Sequence, residues 1–262
     1  MGFTKRIKKV LLFWGIDPRI FIHSLTGLPW FIKDYYRFRN ESKALNDFRF
    51  GKLYPCLSDK KNLSGNLADH YFYQDLLIAG RIFVNNPAKH VDIGSRIDGF
   101  VAHVASFREV EVFDIRPLDL NITNIRFTQS DFMNPDSRLT DYTDSISCLH
   151  ALEHFGLGRY GDPLDINGHL KGFEAIYSVL KKEGKFYFSS PIGPQRIEFN
   201  AHRVFSVSYL LSLFQAKYSI DRFSYIDDKG KLHEKADLTE ANIISNFGCV
   251  YGCGIFEMTK TH

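Results

Sequence analysis

The stretch Lys-His-Val-Asp-Ile-Gly-Ser-Arg-Ile-Asp-Gly, at residues 89–99, predicts a short strand that turns sharply at Gly94. A glycine directly after a strand lets the backbone turn tightly and approach a ligand. The apolar residues that follow, beginning with Phe100 and Val101, recur at helical spacing. The N–H groups at the start of that helix are able to face the same ligand.

The alternation of strands and helices continues on both sides of this turn. Helical spacing is found at residues 69–84 and 170–180, and further strands are predicted at residues 110–113, 125–127, 145–149 and 186–188. Lys181, Lys182 and Gly184 are expected to end the second helix, the lysines at its negative end and the glycine as a left-handed cap. This order predicts an α/β fold with a mostly parallel sheet and helices on both faces.

Residues 1–62 differ from this pattern, because their periodicity is weak and breakers such as Gly27 and Pro29 interrupt it. They predict an N-terminal helical extension or arm, which the polar run at residues 58–62 separates from a globular domain at residues 63–262. Residues 1–14 are basic and aromatic. Packing on the domain is the favoured interpretation, and peripheral contact with an anionic inner membrane surface is the alternative.

The composition of the chain argues against a nucleic-acid-binding protein, a membrane-spanning protein and a structural zinc site. The chain has 262 residues, 44% of them hydrophobic, and a net charge of +3, which is too mild to indicate a nucleic-acid partner. The sequence contains no run of 18 apolar residues, so no membrane span is predicted. The four cysteines are expected to be reduced thiols in a cytoplasmic protein, and the pair Cys249 and Cys253 lacks the second pair of a structural zinc site. Oligomeric state is left open.

Polar residues follow each of the first three predicted strands. Because parallel strands gather their carboxyl ends at one edge, ligands of open α/β sheets bind there. Asp114 follows the second strand, about 20 residues after the glycine turn, where a carboxylate can accept hydrogen bonds from ribose hydroxyls. Asp131 follows the third and could accept one from an adenine amino group, with Phe132 covering the ring. An ordinary loop aspartate and a Ser-Asp turn are the alternatives.

His150, Glu153 and His154 follow the fourth strand and would share one face of a helix. Their order also fits the zinc-binding pattern of inverted zinc proteases, which needs a long helix. A short strand precedes them and Gly156 follows closely, so the pattern favours a functional cluster at the sheet edge over a protease.

The order of the Asp92–Gly94 turn, Asp114, Ser130–Asp131, Glu153–His154 and the stretch 180–186 resembles class I S-adenosylmethionine (SAM)-dependent methyltransferases. The Asp-Ile-Gly-Ser-Arg turn and residues 157–162 are similar to an uncharacterised branch often found with surface-polysaccharide biosynthesis enzymes. The resemblance implies a Rossmann-like sheet of seven strands, the last antiparallel, with final strands at residues 218–225 and 254–259.

The resemblance also implies SAM as the cofactor. The residues that it places against SAM are Asp92, Gly94, Ser95, Arg96, Asp114, Ile115, Asp131, Phe132 and His150. Arg96 and Asp98 stand where the usual turn has glycines, and Arg96 would either pair with the methionine carboxylate of SAM or block the pocket.

The implied reaction is methyl transfer, most simply to an oxygen of a sugar or other small polar acceptor. Histidine is a suitable base near neutral pH, so His154 is the first candidate, His150 the second, and Glu153 their catalytic partner. The Glu153–His154 pair resembles the same pair in ubiquinone-type O-methyltransferases. In those enzymes an acidic residue three places before the Glu helps to hold a metal, whereas this chain has His150 there. A divalent metal is therefore an alternative that the sequence does not favour, and no metal ligand is assigned. The predicted substrate-binding residues are Arg159, Tyr160, Asp162, His202 and Arg203.

Two other functions remain open. A nicotinamide oxidoreductase also uses a glycine turn and a following acid, but Arg96 breaks its glycine fingerprint. A catalytically degenerate methyltransferase fold could act as a binding or scaffold protein, and Arg96 and Asp98 are the residues that favour it.

Overall fold

The computed structural model describes two compact units, Met1–Asn66 and Leu67–His262. Within them, the described residues are 11, 14–15, 17–41, 52–57, 70–119 and 121–262.

The first unit is built on one helix, α1 (Pro18–Glu41), which runs through Pro29 without ending. The predicted break at Gly27 and Pro29 is therefore wrong, since a long helix can carry one proline at the cost of a backbone hydrogen bond. Gly27 is buried and lies against Leu57, whose carbonyl oxygen would be 2.3 Å from an added Cβ. The predicted membrane contact of residues 1–14 lies outside the described residues, except for residues 11 and 14.

The second unit contains a large mixed sheet. Its strands and a separate hairpin are β1 (His90–Ile93), β2 (Val110–Asp114), β3 (Ile125–Gln129), β4 (Thr143–Leu149), β5 (Leu180–Ile192), β6 (Arg196–Glu198), β7 (His202–Val204), β8 (Tyr218–Ile226), β9 (Leu232–His233) and β10 (Gly252–Lys260). Eight strands form the sheet in the order β3-β2-β1-β4-β5-β10-β8-β9, and β6 pairs with β7. Strands β1 to β5 run parallel to one another, whereas β10 is antiparallel to both β5 and β8.

Helices cover both faces of this sheet. The α-helices are α2 (His70–Asn85), α3 (Ala102–Ala105), α4 (Gly168–Val179), α5 (Val207–Phe214) and α6 (Glu240–Ile244). Short turns of other helix types lie at Ile97–Val101, Ser137–Leu139, Leu152–His154 and Asn246–Gly248. No helix in the described part of the chain is long and apolar enough to cross a membrane.

The two faces bury separate apolar clusters because side chains alternate along a strand. Phe186 and Phe188 of β5 enter one cluster with residues of α4 and α5. Tyr187, between them, enters the other with residues of α2 and α3. The predicted α/β fold with a mostly parallel sheet is confirmed, and the two-residue strand β9 extends the expected seven strands to eight.

The C-terminal end of α4 differs from the prediction. Gly184 does not adopt a left-handed conformation, whereas Glu183 does, with φ 65°. Lys260 of β10 occupies the helix end, where its Nζ donates to the carbonyl oxygens of Tyr177 (2.8 Å) and Leu180 (2.5 Å). Its side chain is buried, so β10 supplies the cation that the sequence analysis assigned to Lys181 and Lys182.

Lys260→Met should lower the free energy of unfolding by about 2 kcal/mol, because two carbonyl oxygens would lose a buried charged donor. Lys182→Met is the control, since Lys182 is exposed and should change stability by less than about 0.5 kcal/mol. Chemical denaturation of both variants tests this, and equal losses would contradict the assignment.

Candidate functional site

The turn after β1 packs closely on the segment after β4. Gly94 has φ 71°, and its N–H donates to the carbonyl oxygen of Phe113 (2.9 Å). An added Cβ would lie 2.9 Å from the Cβ of Ala151. Both the backbone conformation and the space therefore require glycine at this position.

The Asp92 side chain, near the end of β1, holds this turn through hydrogen bonds. Its Oδ1 accepts the N–H of Ser95 (3.0 Å), and its Oδ2 accepts the hydroxyls of Ser95 (2.7 Å) and Ser147 (2.5 Å). Asp92 is fully buried, and burial raises its pKa to about 7. The side chains of Asp92 and Ser95 bond to each other inside the protein, and that these residues contact the cofactor stays a prediction.

The Arg96 side chain is directed at Asp98 and Tyr71. Its guanidinium donates to both carboxylate oxygens of Asp98, at 3.1 and 2.9 Å, and its Cζ lies 5.6 Å from the ring centroid of Tyr71. The side chain is exposed. Ala151 supplies the atom found within 4 Å of a Cβ added at Gly94, so the Arg96 side chain does not crowd this position.

Asp114 ends β2 with its carboxylate held by Arg116. The backbone N–H of Arg116 donates to Oδ1 (2.8 Å), and the guanidinium donates to Oδ1 (2.9 Å) and Oδ2 (2.5 Å). The same guanidinium lies 4.5 Å from the ring centroid of Tyr160. The hydrogen bond to Asp114 raises the pKa of Arg116. Ile115, between them, accepts a hydrogen bond from Gln129 through its carbonyl oxygen.

Asp131 lies beside Asp114, since the N–H of Ser130 donates to the carbonyl oxygen of Asp114 (2.9 Å). Its carboxylate accepts the N–H of Met133 (2.9 Å). Phe132 is buried in the core, 5.5 Å from the ring of Phe113. The prediction that Phe132 forms an open wall for an adenine ring is therefore wrong, because its side chain turns to the apolar side of the strand end.

His150, Glu153 and His154 do not share a regular helix face. His150 has φ 49°, and only a single 3₁₀ turn follows it at Leu152–His154. They still form a cluster, in which His150 Nδ1 lies 2.9 Å from Glu153 Oε1. Burial alone would raise the pKa of Glu153, but the hydrogen bond and charge of His150 lower it. Glu153 is therefore held as a carboxylate inside the protein.

His154 is oriented by the backbone. Its Nδ1 lies 2.6 Å from the carbonyl oxygen of Ala201, so this nitrogen carries the proton and Nε2 is left as the acceptor. Nε2 lies 3.8 Å from Glu153 Oε1. Burial lowers the pKa of His154, which favours the neutral imidazole. A neutral ring with an open acceptor nitrogen is suited to taking a proton.

Two predicted substrate contacts instead support the loops. Arg203 is buried and donates to the carbonyl oxygens of Glu153, Phe155 and Ile166. The expectation that it holds an anionic acceptor is wrong, because its donors are aimed at the backbone. Asp162 likewise accepts the N–H groups of Gly158 and Tyr160, and so shapes its own loop.

Arg159 and His202 remain near the surface of the cluster. Arg159 is exposed and donates to the carbonyl oxygen of Ala201 (2.9 Å). His202 Nε2 lies 3.3 Å from a carboxylate oxygen of Glu198, and its ring lies 5.2 Å from that of Tyr251.

A series of ring contacts joins these residues into one rim along the carboxyl edge, and we call it the ring series. It runs through Arg96, Tyr71, His150, His70, Tyr251, His202, His154, Tyr160 and Arg116. Arg116 ends the series at Asp114, so the structure brings Asp114, Glu153 and His154 together at one edge with Asp131 and Gly94 beside them.

His70, Tyr71 and Tyr251 are not among the predicted site residues, because those predictions rest on positions that follow strands. His70 and Tyr71 begin α2. Tyr251 precedes β10, and the start of an antiparallel strand lies at the edge where its parallel neighbours end. The predicted antiparallel last strand was the available signal for Tyr251.

A family model described as a Caenorhabditis protein of unknown function, DUF268, matches residues 110–246, just over half of the chain. The chain belongs to the DUF268 family. In this DUF268 protein the matched region includes Asp114, His150, His154 and His202, whereas the turn at Gly94 lies before it. No curated protein sequence matches that of the chain.

Solved structures share the fold of this DUF268 protein. The N-methyltransferase NodS from Bradyrhizobium japonicum WM9, in complex with S-adenosylhomocysteine, is 11% identical, with a TM-score of 0.51 over 74% of this chain and 89% of NodS. An O-methyltransferase of a Brevibacillus brevis trans-AT PKS multienzyme, in complex with S-adenosylhomocysteine, is 18% identical, with a TM-score of 0.50 over 72% of this chain and 71% of that chain. The cyclase SpnF is 12% identical, with a TM-score of 0.51 over 72% and 80%. At these identities the likeness establishes the Rossmann-like fold.

Gly94→Ala should cost more stability than Gly161→Ala. Both glycines have positive φ, so both variants carry the backbone strain of about 1 kcal/mol. Only the Gly94 variant also pushes a methyl group against Ala151, whereas nothing lies within 4 Å of an added Cβ at Gly161. Thermal or chemical unfolding measures the difference, and equal losses would show that the turn relaxes away from Ala151.

Asp92 should make stability depend on pH. The folded-state pKa of about 7 lies above the ordinary value of 3.8, so the folded protein retains this proton when the unfolded chain has lost it. The stabilising contribution is complete below about pH 4 and is lost as pH rises toward 7. Asp92→Asn cannot titrate, so the free energy of unfolding of the wild type relative to the variant should fall by on the order of 3 kcal/mol between these pH values. A difference that stays constant from pH 4 to 7 would refute this.

Proposed function

We propose that this DUF268 protein is a SAM-dependent methyltransferase. The observation that carries the proposal is the gathering of Gly94, Asp114, Asp131 and His154 at the carboxyl edge of a sheet with the order of the methyltransferase fold. The complexes of NodS and the Brevibacillus enzyme with S-adenosylhomocysteine support the choice of cofactor.

The residues at this edge suit the parts of SAM. The glycine turn allows close approach of the methionine portion, and the pairing of Arg96 with Asp98 keeps a bulky side chain away from it. The two carboxylate oxygens of Asp114 can accept hydrogen bonds from the ribose hydroxyls after the Arg116 guanidinium has moved away. The Arg116 side chain is half-exposed and has room for this movement. Asp131 would receive the adenine amino group.

The bound cofactor supplies an electrophilic methyl group, and the protein must orient the acceptor and take its proton. His154 is placed for the second task, because the Ala201 carbonyl fixes the ring and leaves Nε2 as the acceptor. Glu153, 3.8 Å away, stabilises the imidazolium that forms. Removing the hydroxyl proton as the oxygen attacks increases the nucleophilicity of the acceptor.

We further propose a small polar hydroxyl compound, such as a sugar used in surface-glycan synthesis, as the acceptor. The rings of Tyr160, His202 and Tyr251 offer flat surfaces with polar edges near His154, and Arg159 offers an exposed cation. This mixture suits a neutral or phosphate-bearing sugar better than an apolar acceptor.

Asp114→Asn should weaken S-adenosylhomocysteine binding at least tenfold, since a hydrogen bond to a charged acceptor contributes about 1.5–3 kcal/mol. Asp136→Asn is a matched control. Arg138 donates hydrogen bonds to the Asp136 carboxylate in the same Asp-x-Arg arrangement, at an exposed position outside the candidate site. Titration calorimetry with SAM and S-adenosylhomocysteine gives both affinities.

Wild-type protein that binds neither compound at millimolar concentration would contradict the proposal and favour a non-catalytic binding protein. Binding that Asp114→Asn and Asp136→Asn weaken equally would remove Asp114 from the cofactor site.

A further inference from the structure

We propose that His70, His150 and Cys253 form a zinc-type metal site beside the ring series. One ligand atom from each residue lies within 4.8 Å of the other two. His70 is the first residue of α2, His150 follows β4 and Cys253 lies near the start of β10, so three separate elements converge on this point. This site does not depend on SAM binding, and it goes beyond the proposed methyl transfer.

His150 has the arrangement of a metal-binding histidine. Its Nδ1 faces the buried carboxylate of Glu153 at 2.9 Å, which fixes the ring and makes Nε2 the metal-binding nitrogen. Nε2 is buried and lacks a partner in good hydrogen-bond geometry among the described residues, and the Cys253 thiol is the neighbour that interacts with the ring. Buried polar atoms are rarely left without a well-aligned partner, so a nitrogen in this position, once it has lost its proton, is suited to bind an additional group.

Cys253 supplies a thiol that is fully buried beside it. The contacts of Sγ are weak, 3.7 Å to Gln74 Oε1 and 3.8 Å to the carbonyl oxygen of Gly254. A thiolate in such a place needs a positive charge for compensation, which a divalent ion provides in place of the His150 imidazolium. The thiol proton passes to solvent when the sulfur–metal bond forms.

His70 completes the set from the solvent side. It is only partly buried, and its ring stacks on that of His150 at 5.5 Å. Zinc bonds of about 2.0 Å to nitrogen and 2.3 Å to sulfur place ligand atoms about 3.5 Å apart. Ligand atoms that now lie within 4.8 Å of one another would therefore have to move by only about 1 Å to surround an ion.

The donor set determines the class of ion. Two imidazoles and one thiolate favour zinc or cobalt over magnesium or calcium, which prefer oxygen ligands. Three protein ligands leave a fourth position for water or a substrate atom, as in catalytic zinc sites. That position would lie near Tyr251, on the side where we place the acceptor. The metal patterns visible in the sequence, His150 with Glu153 and His154 and the pair Cys249 and Cys253, do not include this combination.

Cobalt binding to the full chain, stripped of metal and any affinity tag, tests the site. Wild-type protein should bind one Co²⁺ with a near-ultraviolet absorption band from thiolate-to-cobalt charge transfer, and zinc should displace it one for one. Cys253→Ser should abolish the band. Cys249→Ser is the matched control, because this second buried thiol belongs to the same segment but not to the cluster, and the variant should retain the full band.

His70→Gln provides a second variant that is less prone to disturb folding, because His70 is partly exposed at the start of a helix. It should weaken cobalt binding at least tenfold while His233→Gln, whose imidazole pairs with Asp227 outside the cluster, leaves it unchanged. No metal binding at micromolar protein, or a thiolate band that survives in Cys253→Ser, would overturn the proposal. Calorimetry with S-adenosylhomocysteine on the same samples reports separately on the proposed methyltransferase.

Discussion

The buried carboxylate of Asp92 is the constraint on which the site depends. It joins the turn at Gly94 to the neighbouring strand through Ser95 and Ser147, and Ser147 continues to His90 Nε2 at 3.1 Å. Burial lowers the pKa of His90 to about 3, so its ring stays neutral and bridges polar groups between the central strands. A satisfied polar network of this kind favours one register of β1 against β4. That register sets where both strand ends emerge.

Strand direction adds the second half of the site. Because β10 is antiparallel to β5, its first residues lie where β1, β2 and β4 end. Tyr251 and Cys253 thereby reach His70 and His150, although about 100 residues separate β4 from β10 along the chain. The edge thus combines groups suited to a nucleotide-like ligand on one side with imidazoles and a thiol on the other.

The sequence predicts well what local pattern controls. The strands ending at Asp114 and Leu149 and the helix around Ile176 follow from the spacing of apolar residues, and Gly94 follows from its position after a strand. Side-chain direction was predicted less well. Arg203 and Arg159 look equivalent in sequence, yet the first donates to three carbonyl oxygens of a neighbouring loop and the second stays exposed. Phe132 was misassigned for the same reason, since only the packing against Phe113 decides which way it turns. Such outcomes depend on contacts between residues distant in sequence, which periodicity does not encode.

The two-bond ion pair between the Arg116 guanidinium and the Asp114 carboxylate bears on which ligands could bind at Asp114. Each carboxylate oxygen accepts a guanidinium N–H, so a molecule that displaces the guanidinium must offer two adjacent donors to replace both bonds. A vicinal diol does this, whereas a deoxy sugar, with a single hydroxyl at that point, replaces only one of them. At a cofactor site of the kind we propose, the Arg116–Asp114 pair would therefore compete with the ligand and favour one that offers two adjacent donors.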